Sequence, residues 1–215
     1  MMNLAAIDLR PHLLDPIPEL QVAARLLDEA VSAHLAGDRD RADRLIRAAD
    51  LPVIAEWTES LWGQGGPWSR PRPVANPLPY LPSGQRPRQR MPGKTVLRQL
   101  VARDGYHCRF CGIPVIRAEI RRLIRAAYPE ALRWGTRNAD QHAAFQALWL
   151  TYDHLLPHAR GGDNDPDNLV IACQPCKCGR ADLTLGEAGL LDPRERDPVR
   201  SAWDGLERFT KQGGT

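Results

Sequence analysis

The chain has 215 residues, 43% apolar and 26% charged, an ordinary water-soluble composition with enough length for one large domain or two small ones. Its apolar runs fall far short of the roughly 18 residues that a membrane span needs. Its first twenty residues include Asp8 and Asp15 and no uninterrupted apolar stretch, so no export signal is expected. The net charge of +3 conceals an asymmetry: residues 1–59 hold 6 Lys/Arg against 11 Asp/Glu, whereas residues 60–103 hold 8 Lys/Arg and no acid. A cationic stretch of that length suits a polyanion such as nucleic acid, or else a solvated basic linker.

The first third reads as helices. Leu20, Ala23, Ala24, Leu27, Ala30 and Val31 recur at helical spacing between Pro18 and Gly37. A second helix follows, capped by Asp38 or Asp40. A third carries Val53, Ile54, Trp57, Leu61 and Trp62 on one face. Residues 1–62 are therefore expected to form an acidic helical region, a bundle or lid able to meet a protein partner. Residues 63–93 contain eight prolines and five glycines. Proline fixes φ and has no amide donor, so this is a basic linker or arm. Arg86, Arg88 and Arg90 within it suit phosphate contacts. The "PGKT" at 92–95 is not a phosphate loop, because position 88, where that motif needs glycine, is arginine.

From Thr95 the pattern changes. A short helix runs into a turn at Asp104-Gly105, residues 112–135 read as helical with Arg117, Arg121, Arg122 and Arg125, and residues 138–154 read as a helix passing into a strand. Residues 168–173 form a β-rich run, a helix is expected after Cys176, and residues 182–215 are expected to wrap the surface. Those arginines line a nucleic-acid groove or form a solvated face; Trp134 and Trp149 read as core.

Five cysteines, grouped in close pairs in a chain without an export signal, point to metal ligation in a reducing cytoplasm. Cys108/Cys111 and Cys173/Cys176 are two CxxC knuckles with 61 residues between them. A two-residue spacer lets both thiolates of a knuckle reach one ion, and two knuckles complete a tetrahedral zinc shell with no open position. Redox pairing and plain buried thiols are the alternatives. Cys178 is spare.

Between the knuckles, Asp153-His154, Pro157, Gly161-Gly162 and Asn168-Leu169 lead into the second cysteine pair. This arrangement resembles the HNH endonuclease family, over about residues 95–185. The resemblance implies an α+β fold, mainly helical, with a small zinc-stapled ββα-metal core in a domain at 94–215. A helical insertion occupies 113–150. It also implies hydrolysis of DNA, most readily double-stranded, with structural Zn²⁺ and catalytic Mg²⁺ or Mn²⁺. His154 is the base, suited by a titration near neutrality, and Asp153 is a hard oxygen ligand for the catalytic ion. Asn168 ties down the loop and orients the histidine. His158, Arg160 and Arg180 are candidate nucleic-acid contacts. The departure is Lys177, where the family has Asn or His. An ammonium has no lone pair, so Lys177 swings aside, or sits on the scissile phosphate, or marks a site that binds without cutting.

Overall fold

The structure is a computed structural model that describes residues 9–62, 70–88 and 91–211. Three helices open it: α1 (Pro18–Leu35), α2 (Arg39–Ala48) and α3 (Pro52–Trp62). Pro18 needs no amide partner in the first turn of α1, and the Asp38 side chain accepts from Arg41 N at the start of α2. The apolar stripe expected for α1 is the buried one, from Leu20 to Val31. On α3 the buried side is Ile54, Trp57 and Leu61, while Val53 points outward. None of the described helices is long and apolar enough to cross a membrane.

After α4 (Lys94–Asp104), the chain turns at Gly105, whose φ of +70° costs glycine little. Asp104 at that turn is 1% exposed. Its carboxylate accepts from Arg103 and from Ile171 N at 3.0 Å, tying the turn to the hairpin described below. Helix α5 (Ala118–Ala127) is shorter than the pattern predicts. Residues 112–117 instead make isolated bridges, His107 with Pro114 and Ile116 with Trp149. The segment must return the first knuckle to the sheet, which an uninterrupted helix would carry away.

The centre is a two-stranded antiparallel hairpin, β1 (Leu150–His154) against β2 (Leu169–Cys173), pairing Leu150 with Cys173 through to His154 with Leu169. Strand β2 is buried throughout and runs straight into α7 (Gln174–Arg180). A short α6 (Ala143–Ala147) precedes β1, and α8 (Leu185–Ala188), with a capping box from Thr184 and Glu187, begins the tail. The fold is thus mainly helical with one small sheet, an α+β arrangement around a ββα unit.

The N-terminal helices and the C-terminal half share one hydrophobic core, running from Leu13 to Phe209. Helix α3 packs on α6 and α7. The 113–150 segment bolts the two halves together. Asp50 accepts from Ala143 N at 2.7 Å and from Arg133 at 2.8 Å, and His142 Nε2 donates to Ile46 O at 2.8 Å. His34 on α1 meets the Tyr128 hydroxyl at 2.7 Å and stacks on Phe209. Arg121 is a core element rather than a groove element. Its guanidinium lies 3.6 Å from the Trp134 ring centre and 4.4 Å from that of Trp149, and burial pulls it down to about 10. Arg122 and Arg125 are exposed, and Arg117 pairs with Glu207 at 2.5 Å.

The described part of the proline-rich arm lies along the protein rather than projecting from it. Arg72 N donates to Glu187 O and Leu81 N to Ala159 O, each at 2.8 Å. The tail wraps the surface as expected, with Arg196 donating to the carbonyls of Pro11, Arg109 and Phe110 and Trp203 Nε1 to Val115 O.

Candidate active site

Four sulfurs form a compact cluster. The Sγ atoms of Cys108, Cys111, Cys173 and Cys176 all lie within 4.8 Å of one another, and Cys111 and Cys173 are 3.7 Å apart. A tetrahedron with Zn–S bonds of about 2.3 Å has edges of about 3.8 Å, so the spacing fits one ion. The knuckles meet because Arg109 N donates to Ile171 O at 2.8 Å, seating the first beside β2, while the second begins at the strand's last residue. Burial opposes ionisation of Cys108. Hydrogen bonds from the other three sulfurs nevertheless hold its thiol well below the usual range, and burial pushes Cys173 up. A cation relieves that conflict by letting all four ionise. Cys178 is exposed and stands outside the cluster.

On the far side of α7 a cleft of about 530 Å³ opens, lined by Asp153, His154, His158, Lys177 and Asp182 among others. Asp153 and His154 are neighbours on a strand and would normally point to opposite faces. They share the cleft because His154 ends β1, where the chain turns away. His154 Nε2 lies 2.9 Å from Asn164 Oδ1. With that oxygen accepting, the ring proton sits on Nε2 and Nδ1 keeps its lone pair. Burial lowers the His154 pKa, and the charges of Lys177 and His158 lower it further, against the pull of Asn164 and Asp153. With its pKa held below 6.5, the ring is mostly uncharged near pH 7.

Asn168 ties the loop. Its Oδ1 accepts from Leu156 N at 2.8 Å, and its Nδ2 donates to the carbonyls of Leu156 and Asp163. It makes no bond to the histidine ring, whose partner is Asn164. The sequence offers little to separate the two asparagines, since both lie in the same polar loop. Gly162 is obligatory there: a Cβ on it would stand 1.8 Å from Leu156 O.

Lys177 and Arg180 are one turn apart on α7, so both face the end of β1. Lys177 Nζ donates to Tyr152 O at 2.9 Å. Arg180, 1% exposed, donates through Nε to Asp153 Oδ2 at 3.0 Å, and its NH2 group lies 2.8 Å from the same oxygen. It also donates to His154 O at 2.5 Å and to Leu183 O. Arg180 is therefore an interior brace rather than a surface contact, and nothing in the sequence distinguishes the two uses.

This donor set does not fit a catalytic Mg²⁺ or Mn²⁺. The Asp153 carboxylate is neutralised by Arg180, and Lys177 adds a further positive charge to the same wall. An ammonium about 4 Å from a divalent ion would be repelled by roughly 8 kcal/mol at an effective dielectric near 20. Among the described residues, the four cysteines are the single group of three or more His, Cys, Asp or Glu ligand atoms close enough to share an ion.

The other expected phosphate contacts are dispersed. Arg160 is buried against Glu187 at 3.0 Å and the Tyr80 ring, and it donates to Leu78 O, so it anchors the arm. His158 Nε2 donates to Pro87 O at 2.8 Å, fixing the arm beside the cleft. Arg86 is half-buried and donates to Leu81 O, Arg88 is exposed, and Arg90 lies outside the described residues. Trp62 from α3 and Asn138 from the insertion complete the cleft wall, contributions from distant sequence that no local motif announces.

A hairpin with a histidine at the end of its first strand, a helix following its second, and a cluster of four cysteines beside them make up a ββα unit. Residues 144–177 match the family model described as HNH endonuclease, and the match ends on Lys177. No curated protein and no solved structure gives a significant match.

Proposed function

We propose that the protein is an endonuclease that hydrolyses phosphodiester bonds in double-stranded DNA, with His154 as general base. The observation that carries this reading is the His154 ring in the cleft, neutral, anchored through Nε2 by Asn164 and leaving Nδ1 able to accept. Nδ1 takes a proton from water, the oxygen attacks phosphorus, the bond to the leaving oxygen breaks, and that oxygen takes a proton from solvent. Zinc in the cysteine cluster holds the ββα unit together and leaves the chemistry to the cleft. Arg88 and the basic arm supply backbone attraction. A reducing, cytoplasmic setting suits the free thiolates of the cluster.

A second reading is favoured by the Asp153–Arg180 pair: a zinc-stapled module that binds nucleic acid without turnover. Nicking of supercoiled plasmid separates the two, measured in Mg²⁺, in Mn²⁺ and in divalent-free buffer. Wild type is expected to nick and His154→Ala to be about 10²- to 10⁴-fold slower. Equal cleavage by the variant would remove His154 from the mechanism. Salt-sensitive binding with no cleavage in any buffer would establish the second reading.

A further inference from the structure

The two cations of α7 occupy the place where the family resemblance expects a divalent ion, and they do so by construction. Lys177 and Arg180 are three residues apart and engage three successive residues of β1: Tyr152, Asp153 and His154. Arg180 is buried and spends its Nε and NH2 hydrogens on Asp153 and the His154 carbonyl, so it fixes the strand end and cancels the carboxylate. Lys177 is only half-buried and, among the described residues, spends one of its three ammonium hydrogens, on Tyr152 O. The other two remain for a ligand, and Lys177 lines the same cleft as His154. A phosphate oxygen can accept hydrogen bonds from such an ammonium, whereas a metal ion is repelled by it.

We propose that Lys177 replaces the divalent ion as the phosphate ligand of this cleft, so that engagement with a nucleic-acid backbone needs no magnesium or manganese. Arg180 is a positioning residue that holds Asp153 and the end of β1 beneath it. The inference rests on the cleft being a nucleic-acid phosphodiester site, as in the proposed function, but not on turnover. Where turnover occurs, Lys177 holds a non-bridging oxygen while His154 Nδ1 takes the proton of the attacking water. The leaving oxygen takes a proton from solvent and His154 returns its own to solvent. Water and a phosphodiester thereby become a phosphomonoester and an alcohol.

Three measurements on the full zinc-loaded chain test this. First, fluorescence anisotropy with a labelled DNA duplex in divalent-free buffer is expected to show binding. There Lys177→Gln lowers the salt slope by about 0.9 and the affinity about fivefold near 0.15 M salt, while Lys177→Arg keeps the slope. Zinc content shows that each variant is folded. Second, calorimetric titration of Mg²⁺ into wild type is expected to show no saturable binding, a readout that needs no variant at position 177. Third, any plasmid nicking is expected to proceed equally with and without Mg²⁺. An unchanged slope in zinc-replete Lys177→Gln, saturable Mg²⁺ binding lost in Asp153→Asn, or a Mg²⁺ requirement for binding or nicking would each overturn the proposal. Absence of nicking in every buffer would instead refute the nuclease reading and leave the first two measurements to decide this one.

Discussion

Replacing Arg180 by Met tests the interior brace on which the cleft is built. The side chains of Arg180 and Asp153 are 1% and 6% exposed, so neither charge has water to fall back on when its partner is removed. Met retains much of the packing volume but leaves the Asp153 carboxylate and the carbonyls of His154 and Leu183 without their donor. Breaking a buried ion pair from one side costs about 3–5 kcal/mol. In a chain of this size each kcal/mol shifts the melting temperature by about 2–4 °C, so a fall of roughly 6–20 °C is expected. Calorimetric or circular-dichroism melting of wild type, Arg180→Met, Asp153→Leu and the double variant supplies the assay. The double variant is expected to be more stable than either single one, because it strands no charge. A fall of less than about 2 °C in Arg180→Met, or strictly additive losses in the double variant, would refute the brace.

Cys173→Ser is expected to abolish stoichiometric zinc by elemental analysis and to unfold the ββα unit. Structural zinc supplies about 10–16 kcal/mol in zinc-finger peptides, more than a typical domain's whole stability. Acid is expected to destabilise the fold. Burial lowers the pKa of His34, His107 and His142 from 6.5, so the unfolded chain binds protons that the folded one refuses, and stability present above about pH 6.5 is lost as pH falls below it. His142→Gln, whose amide can donate to Ile46 O, should reduce the slope of stability against pH in that window by about 1.4 kcal/mol per unit; an unchanged slope would exclude His142. Gly162→Ala places a Cβ 1.8 Å from Leu156 O, so it should cost more than about 2 kcal/mol in urea unfolding; a neutral effect would mean the loop is looser than the Asn168 bonds imply.

Periodicity made α1 legible, because its buried residues recur at helical spacing, whereas α2 was legible from its Asp cap and β2, buried throughout, from its β-rich composition. The cysteine knuckles were legible for a covalent reason, since a two-residue spacer matches a metal edge whatever surrounds it. The 112–117 segment departs from the helical pattern of its sequence, because pairing with partners over thirty residues away, Ile116 with Trp149, outweighs local propensity. Arg121, counted among residues of a groove or a solvated face, is instead buried between Trp134 and Trp149, which only the packing brings to it.

Residue type and spacing by themselves determined the two cysteine knuckles, and the family resemblance supplied the ββα unit, the expected role of His154 and the oddity of Lys177. Only the tertiary structure decided that Asn164 rather than Asn168 holds the histidine. The same is true of Arg180, turned inward onto Asp153, and of the N-terminal helices, which share the core and supply Trp62 to the cleft. The reason is physical. Spacing specifies which atoms can reach one another along a single element, but a charge is silenced or left for a ligand by what packs against it from elsewhere in the chain.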